Sequence, residues 1–324
     1  MRKIVLAGNL TGDAKKIFHT HFAGRCEVAE ISSSEEIQAA ADAEYIITRG
    51  LPFQQKEIAQ LKGRTRLIHR WGVGYDSVDI QAAAQKGIAV AICTGGNAQP
   101  VAEMTVLLML AAYRRLPDLI SRARQGTKEK EDIIARSYLL QGKMVGLIGL
   151  GNIGRLVCKI LHGFGASVQY YDLLRAAPEI EVDLDVRYCT LEELLQTSDI
   201  VSIHVPLLDS TRHMIGAGEF RLMKPSALLV NTARGGVVDT RAMLDALKNR
   251  EIAGAALDTI EGEPLPADHP VFSEPNILLT PHGAGNTCDN TKNMCDIIIR
   301  NIEVMESGGM PEAKYLVNAQ LLNA

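Results

Sequence analysis

Short apolar runs alternate with segments of helical spacing in the first part of the chain. The apolar runs cover residues 4–7, 28–31, 45–48, 67–69 and 88–92, and the helical segments include 35–41, 54–61 and 78–85. Strands that alternate with helices in this way are typical of parallel βαβ units. The pattern predicts a doubly wound parallel sheet for this part of the chain.

A second series of the same kind begins near Lys143. Its predicted strands cover residues 144–148, 168–171, 200–205, 227–231, 254–257 and 277–279, and a predicted helix covers 152–164. Apolar residues in that helix follow the spacing i, i+3, i+4, i+7 and i+8, which places them on one face. Further helices are expected at 101–115 and 294–305. The chain is therefore predicted to hold two α/β units.

Composition and charge exclude several classes of protein. The 324 residues suffice for two domains, the net charge is −4, and basic residues form no block, so nucleic acid is not an expected partner. The longest apolar stretch, 101–113, contains Glu103 and is too short to span a membrane. Six scattered cysteines favour free thiols and a cytoplasmic location. His19 and His21 point to different faces of a predicted helix, so no metal site is expected.

A glycine-rich turn joins the first strand of the second series to its helix. Gly149 permits a tight turn, Gly151 lets the backbone approach a pyrophosphate, and Gly154 lets the helix pack closely on the strand. The helix N-terminus favours phosphate charge. Asp172 ends the next strand, where a carboxylate can bind the ribose diol of NAD and repel a 2′-phosphate. These features predict a dinucleotide site; a glycine-rich turn without a cofactor is the alternative.

Three polar residues follow predicted strands of the second series. Arg234 follows the strand at 227–231, Glu263 follows the strand at 254–257, and His282 follows the strand at 277–279. Ligands of open α/β sheets bind at the carboxyl ends of strands. A guanidinium can hold a carboxylate, an imidazole can exchange a proton near neutral pH, and a carboxylate can orient that imidazole. The trio suits hydride transfer to a keto acid, although each residue alone would more often be structural.

Several ordered motifs are similar to those of the D-isomer-specific 2-hydroxyacid dehydrogenases, which include phosphoglycerate, D-lactate and glyoxylate/hydroxypyruvate dehydrogenases. The resemblance covers nearly the whole chain. It is carried by GVGYDSVD at 72–79, NAQPVAE at 97–103, GLIGLGNIG at 146–154, HVPL at 204–207, NTARGGVVD at 231–239, DTIEGEP at 258–264 and PHGAGNT at 281–287. Motifs in this order are far more specific than any one of them alone.

The resemblance implies an architecture and an activity. It implies an α/β protein with two Rossmann-like or flavodoxin-like doubly wound domains and an active site in the cleft between them. Residues 1–97 and 286–324 would form the substrate-binding domain, and residues 98–285 the NAD-binding domain. The protein would be an NAD-dependent dehydrogenase that interconverts a small 2-keto acid and its D-2-hydroxy acid. Members of the family are usually homodimers joined through the cofactor domain.

The resemblance also assigns site residues. The catalytic residues would be Arg234, Glu263 and His282. Cofactor contacts are implied at Gly149, Gly151, Asn152, Ile153, Gly154, Asp172, His204, Val205, Pro206, Thr211, Thr232, Ala233, Asp258, His282 and Gly285. Substrate contacts are implied at Arg49, Trp71, Val73, Gly74, Arg234 and His282. The amides of Val73 and Gly74 lie in a glycine-flanked turn, which suits an anion.

Some residues leave the substrate open. Gly283 follows His282, where the family usually has a larger aliphatic residue. Trp71 is expected either in the core or in the pocket, and Arg49 either at the substrate or in solvent. The sequence therefore does not identify the 2-hydroxy acid.

The cofactor and the class of function also have alternatives. Arg175 follows Asp172 by three residues and keeps NADP as an alternative cofactor, in a reductase of glyoxylate, hydroxypyruvate or a bulkier keto acid. A non-catalytic NAD-sensing binding module is the alternative of another class, since a fold alone does not define a function.

Overall fold

The computed structural model describes residues 2–128 and 130–322. Its strands are β1 (Arg2–Gly8), β2 (Cys26–Ile31), β3 (Tyr45–Arg49), β4 (Leu67–Arg70), β5 (Ala89–Ile92), β6 (Met144–Ile148), β7 (Ser167–Tyr171), β8 (Val186–Tyr188), β9 (Ile200–Ile203), β10 (Leu228–Asn231), β11 (Gly254–Leu257) and β12 (Ile277–Leu279). Its α-helices are α1 (Gly12–Phe22), α2 (Gln55–Ala59), α3 (Ile80–Gln85), α4 (Ala98–Tyr113), α5 (Leu116–Arg124), α6 (Glu131–Ile134), α7 (Asn152–Gly163), α8 (Pro178–Leu184), α9 (Leu191–Thr197), α10 (Ala217–Leu222), α11 (Thr240–Lys248), α12 (Cys288–Glu306) and α13 (Ala319–Leu322). Short 3₁₀ helices cover Ser34–Ala40, Gly235–Val237 and Pro270–Ser273.

The first compact unit consists of Met1–Asn97 and Asn286–Ala324. Its sheet has the order β2-β1-β3-β4-β5, and every pairing is parallel. One face is covered by α1 and α12 around Phe18, Phe22 and Ile298, and the other by a second apolar cluster that includes Phe53. The strand order reverses between β1 and β3, so Arg49, at the carboxyl end of β3, lies at a switch point where such sheets bind ligands.

The second compact unit consists of Ala98–Gly285. Its sheet has the order β12-β11-β10-β9-β6-β7-β8, again entirely parallel. The order reverses between β6 and β9, and this doubly wound arrangement is the dinucleotide-binding type. The loops after β6, β7, β9, β10, β11 and β12 carry the predicted site residues of this unit. All of these loops leave the same edge of the sheet, because parallel strands end on one side.

The two predicted α/β units with parallel sheets are confirmed. The predicted bounds of β6, β11 and β12 match the structure. The predicted strand at 200–205 was too long, since β9 ends at Ile203 and the following segment includes Pro206, which lacks an amide hydrogen for the sheet. The helix predicted at 35–41 is a 3₁₀ helix, Ser34–Ala40. The substrate-binding and cofactor-binding labels given to the two parts of the chain stay predictions.

No helix within the described parts of the chain is both long enough and apolar enough to cross a bilayer.

Candidate active site

The turn between β6 and α7 leaves no room for side chains at two of its glycines. Gly149 has φ +104°, and a Cβ there would lie 2.9 Å from the carbonyl carbon and oxygen of His204. A Cβ on Gly154 would lie 2.3 Å from the carbonyl oxygen of Gly149. Gly151 is different: it precedes the first residue of α7, and a Cβ there would meet nothing within 4 Å. The turn is therefore closely packed at Gly149 and Gly154 but open at Gly151, as the approach of a pyrophosphate to the backbone requires.

Asp172 is oriented by the same turn. The amide of Leu150 donates a hydrogen bond to Asp172 Oδ2 at 2.9 Å, and the residue is partly exposed just beyond β7. The carboxylate of Asp172 is thereby held beside the turn and can accept further hydrogen bonds from a ribose diol. Glycine cradle and carboxylate together fit an adenine dinucleotide.

His204 and Thr211 bound the loop that follows β9. The His204 amide donates to Ile148 O at 2.7 Å, and its Nε2 lies 2.9 Å from Ser202 Oγ. Burial lowers the pKa of His204 to about 4, so the ring is neutral at neutral pH. The Thr211 hydroxyl donates to Pro206 O at 2.6 Å and accepts from the Leu208 amide at 2.8 Å. Val205 and Pro206 thus lie in a loop that is fixed at both ends.

The turn after β10 is held by Asn231, which the sequence did not identify. Asn231 Nδ2 donates to Arg234 O at 2.9 Å, and Asn231 Oδ1 accepts from the Ala233 amide at 3.0 Å. The Thr232 hydroxyl lies 2.8 Å from that of Thr105 on α4. These contacts fix the backbone on both sides of the Arg234 side chain.

Gly235 brings the Arg234 turn against the loop that carries Glu263. A Cβ on Gly235 would lie 2.0 Å from Ile260 C and 2.3 Å from Glu261 N, so the two backbones touch. The guanidinium of Arg234 donates to Ala233 O at 2.7 Å. Only glycine permits this approach, and the GG pair of the 231–239 motif was the available sequence signal.

Glu263 and His282 form a direct pair. His282 Nδ1 lies 2.6 Å from Glu263 Oε1, and the side chains are 48% and 34% exposed. Because the carboxylate accepts from Nδ1, the other ring nitrogen, Nε2, is left to exchange a proton with a ligand. His282 has φ +50°, a left-handed conformation that needs support from its surroundings.

Asp258 supplies that support. Its buried carboxylate accepts from the Thr280 hydroxyl at 2.6 Å, the Gly283 amide at 2.9 Å and the Ala284 amide at 2.8 Å. Its carbonyl oxygen accepts from the His282 amide at 2.9 Å. The resemblance implies that Asp258 contacts the cofactor, and this stays a prediction; in the structure its hydrogen bonds hold the His282 loop. Gly285 ends that loop and the second unit.

The predicted substrate residues of the first unit lie close to one another. Trp71 packs edge-on against Phe18, with ring centroids 6.5 Å apart, and the Arg49 guanidinium lies 5.8 Å from the Trp71 ring centroid. Arg49 donates to Asn9 O at 3.1 Å and to Asn286 Oδ1 at 2.8 Å, and burial lowers its pKa. Trp71 thus contacts the core and also supports the arginine.

Backbone amides follow Trp71 in an open loop. Within residues 2–128 and 130–322, the amides of Val73 and Gly74 donate to no protein acceptor. Gly72, with φ +112°, turns the chain into this loop. Two adjacent unpaired amides suit a carboxylate group. In the same described ranges, no group of three or more His, Cys, Asp or Glu side chains could hold a metal ion.

A glycine-rich turn, a carboxylate beside it and an imidazole–carboxylate pair at one sheet edge fit a nicotinamide-dependent oxidoreductase of the α/β class. Comparison with known proteins gives the family. A model described as "D-isomer specific 2-hydroxyacid dehydrogenase, NAD binding domain" matches residues 106–284. The chain belongs to the D-isomer specific 2-hydroxyacid dehydrogenase family and is an NAD-dependent enzyme of that class.

Relatives and solved structures support this membership. The chain is 41% identical over 268 residues to a glyoxylate reductase of Thermofilum pendens, covering 82% of this chain and 78% of that one. It is 34% identical to a D-3-phosphoglycerate dehydrogenase of Methanocaldococcus jannaschii, covering 96% of this chain and 59% of that one. The crystal structure of a D-lactate dehydrogenase with NAD⁺ from Lactobacillus jensenii matches with a TM-score of 0.78 and 28% identity, over 97% of this chain and 99% of that one.

Proposed function

We propose that Arg234, Glu263 and His282 are the catalytic residues with which this dehydrogenase reduces a small 2-keto acid to the D-2-hydroxy acid. The observation that carries the proposal is the 2.6 Å contact between His282 Nδ1 and Glu263 Oε1. Bound NADH would supply the hydride. His282 would give its Nε2 proton to the carbonyl oxygen, and in the oxidation direction it would take the hydroxyl proton back.

The other two members of the trio position and polarise. Arg234 would bind the substrate carboxylate and draw electron density from the carbonyl, since a guanidinium offers paired donors in one plane. Glu263 would orient the imidazole so that Nε2 faces the substrate. In the first unit, the unpaired amides of Val73 and Gly74 support a role as donors to a carboxylate. Arg49 and Trp71, which lie together in the first unit, are also proposed as substrate contacts.

We propose that the remaining predicted residues bind the cofactor. Gly149, Gly151, Asn152, Ile153 and Gly154 would receive the pyrophosphate at the start of α7, and Asp172 would receive the adenosine ribose. The loop and strand-end positions His204, Val205, Pro206, Thr211, Thr232, Ala233, Asp258, His282 and Gly285 would line the remainder of the site. Asp258 would act mainly through the His282 loop, because its carboxylate already accepts three hydrogen bonds.

Glyoxylate is the substrate to test first. Several relatives are glyoxylate reductases, including one 41% identical to this chain. The test is a panel of glyoxylate, hydroxypyruvate, pyruvate and a bulkier 2-keto acid with NADH and NADPH, followed by the fall in absorbance of the reduced cofactor. Turnover of at least one acid is expected, with the D-enantiomer as product from every acid other than glyoxylate, whose product, glycolate, is achiral. Tight NADH binding without turnover of any acid would instead support an NAD-sensing module.

Exposed apolar side chains support a homodimer. Leu107, Ile134, Tyr138 and Leu139 of the second unit are 51%, 58%, 45% and 62% exposed and fall within a short part of the chain. Large exposed apolar side chains that form one patch are typical of an interface. We propose that a second copy covers it, and light scattering on wild type and Leu139→Glu tests this, with a monomer expected for the variant. A cytoplasmic location is also proposed, supported by six cysteines that are all free thiols.

A further inference from the structure

Arg175 is paired with Glu181 just beyond the ribose-binding carboxylate. Arg175 Nε lies 2.9 Å from Glu181 Oε1, and Arg175 Nη2 lies 2.8 Å from Glu181 Oε2, so two parallel hydrogen bonds join the groups. The guanidinium also lies 5.4 Å from the ring centroid of Tyr188 on β8. Arg175 follows Asp172 by only three residues. The cation closest in sequence to the ribose site is therefore bound to helix α8 and strand β8.

The carboxylate side of this pair is also fixed. Glu181 Oε1 accepts from the Tyr170 hydroxyl at 2.7 Å, and that hydroxyl accepts from the Ala176 amide at 2.8 Å. Hydrogen bonds from Arg175 and Tyr170 lower the pKa of Glu181 to about 2. Glu181 stays ionised at any working pH, so it holds the arginine throughout.

Little else restrains Arg175. Its side chain is 62% exposed, and Leu173 and Leu174, which separate it from Asp172, are 84% and 81% exposed. A loop without buried side chains can change the direction of its arginine at low cost. The ion pair and the stacking on Tyr188, rather than packing in the core, therefore set where the guanidinium lies.

A cation close to the adenosine ribose favours NADP over NAD. NADP carries a 2′-phosphate on the adenosine ribose, and a nearby arginine accommodates it in many dinucleotide-binding folds. We propose that Glu181 is a specificity-determining positioning residue, which holds Arg175 away from the ribose site and so adds to the NAD preference set by Asp172. The proposal rests on the proposed cofactor site at Gly149–Gly154 and Asp172.

The test measures dissociation constants of NADH and NADPH by fluorescence titration, without a keto acid. Glu181→Gln keeps the shape and the acceptor for Tyr170 but removes the charge that holds Arg175. Its NADPH affinity is expected to rise about 5-fold, the scale of one exposed charge–phosphate contact, while its NADH affinity changes less than about 2-fold. The gain should shrink at high salt.

Two further variants identify the route of the effect. As a single substitution, Arg175→Met should change the NADPH affinity less than about 2-fold from the wild-type value, because the Arg175 guanidinium is already bound to Glu181. In Arg175→Met/Glu181→Gln the gain should vanish. Glu193→Gln is the matched control: Arg187 Nη1 and Glu193 Oε1 form a similar 2.9 Å pair in the same unit, and its removal should not change the cofactor ratio.

Different results would overturn the role of Glu181 and the proposed cofactor site on which that role rests. An Arg175→Met variant that loses NADPH affinity would show that Arg175 already contacts the 2′-phosphate. A Glu181→Gln variant with a lower melting temperature and an unchanged NADH/NADPH ratio would show a structural role only. If that variant does not fold, Glu181→Asp, with a shorter carboxylate, should give a smaller gain, and no gain overturns the proposal. Failure of the wild type to bind either cofactor would instead overturn the proposed function.

Discussion

The two units begin with the same strand–turn–helix but finish the turn differently. Gly8 at the end of β1 and Gly149 just after β6 both have positive φ, +91° and +104°. A Cβ on Gly8 would clash with the carbonyl of Arg49 at the end of β3, and a Cβ on Gly149 with the carbonyl of His204 just after β9. In the first unit, Thr11 caps α1, since its hydroxyl accepts from the Ala14 amide at 3.3 Å. In the second unit the residue at the N-cap position is Gly151, which has no side chain to cap α7.

The difference explains how one fold serves two purposes. Helix N-termini carry amides without intrahelical partners, and a capping hydroxyl satisfies one of them. Where glycine replaces the cap, the amides are left for a ligand, and the helix dipole favours an anion. The first unit thus closes its helix start with its own side chain, whereas the start of α7 in the second unit has no side-chain cap. Variants at matched positions of the two units test whether a property belongs to one unit and not to the other.

The largest effect is expected from the catalytic pair. His282→Gln should lower kcat for keto-acid reduction by about 10²–10⁴-fold, because the general acid is lost, with little change in NADH affinity. His21→Gln in the first unit is the matched control, since His21 Nε2 lies 2.8 Å from Glu303 Oε1 in a similar pair. Steady-state kinetics and NADH titration measure both. A His282 variant with near-normal turnover would contradict the assigned role.

The next effect concerns a buried histidine of the first unit. His69 lies on β4 and contacts α12, where Asn301 Nδ2 donates to its Nε2 at 2.9 Å, and burial lowers the pKa of His69 to about 4. The unfolded chain, with an ordinary pKa near 6.5, binds the proton more readily, so stability falls as pH drops from about 6.5 to about 4. The loss should be at most about 3 kcal/mol.

Thermal unfolding between pH 7.5 and pH 4 measures this loss. His69→Leu/Asn301→Leu removes both polar partners and should flatten the acid limb, whatever its stability at neutral pH. His204 has a similarly lowered pKa in the second unit, so part of the slope should survive. An acid limb that is unchanged in the double variant would mean that other groups cause it.

The sequence predicted both sheets because buried parallel strands are continuous apolar runs, which are visible without tertiary information. It missed β8, Val186–Tyr188, a three-residue edge strand whose run is interrupted by Arg187. Short helices such as α9 were also missed, since few residues give little periodicity.

The site was predicted at the level of residue types but not of contacts. Asp258 was recognised in a motif, yet its three hydrogen bonds to the His282 loop join residues that are distant in the chain. The approach of Gly235 to the Ile260–Glu261 backbone likewise depends on how two strands are placed in the sheet. Such contacts are properties of the folded backbone, and a single sequence carries no direct signal for them.

A smaller effect is expected at Gly154 in α7 than at the catalytic pair, and Gly12 in α1 is its matched control. A Cβ on Gly154 would overlap Gly149 O at 2.3 Å, whereas a Cβ on Gly12 in α1 meets nothing within 4 Å. Gly154→Ala should cost about 1–3 kcal/mol of stability and weaken NADH binding. Gly12→Ala should leave binding unchanged and be neutral or stabilising by up to about 1 kcal/mol. Equal changes in stability and in NADH binding in both variants would mean that the close approach to Gly149 O does not set the role of Gly154.

The smallest effect is expected when a side-chain cap is added to α7, which lacks the cap that Thr11 gives to α1. Gly151→Ser would place a hydroxyl where Thr11 has one, and the added side chain has room, so the helix should be capped and at least as stable. NADH affinity should fall about 5-fold, because the hydroxyl competes with the pyrophosphate for an amide. Gly151→Ala, which adds the carbon without the hydroxyl, separates steric loss from capping.

Thr11→Ala is the converse variant, because it removes the side-chain cap of α1 in the first unit. Removing the cap of α1 should cost about 1 kcal/mol of stability and leave NADH affinity unchanged, because no phosphate is expected at this helix. Melting temperatures and NADH titrations of the three variants complete the set. If Gly151→Ser binds NADH as tightly as the wild type does, the amides at the start of α7 do not hold the pyrophosphate. If Thr11→Ala weakens NADH binding, the first unit contributes to the cofactor site, and the division of roles between the two units is wrong.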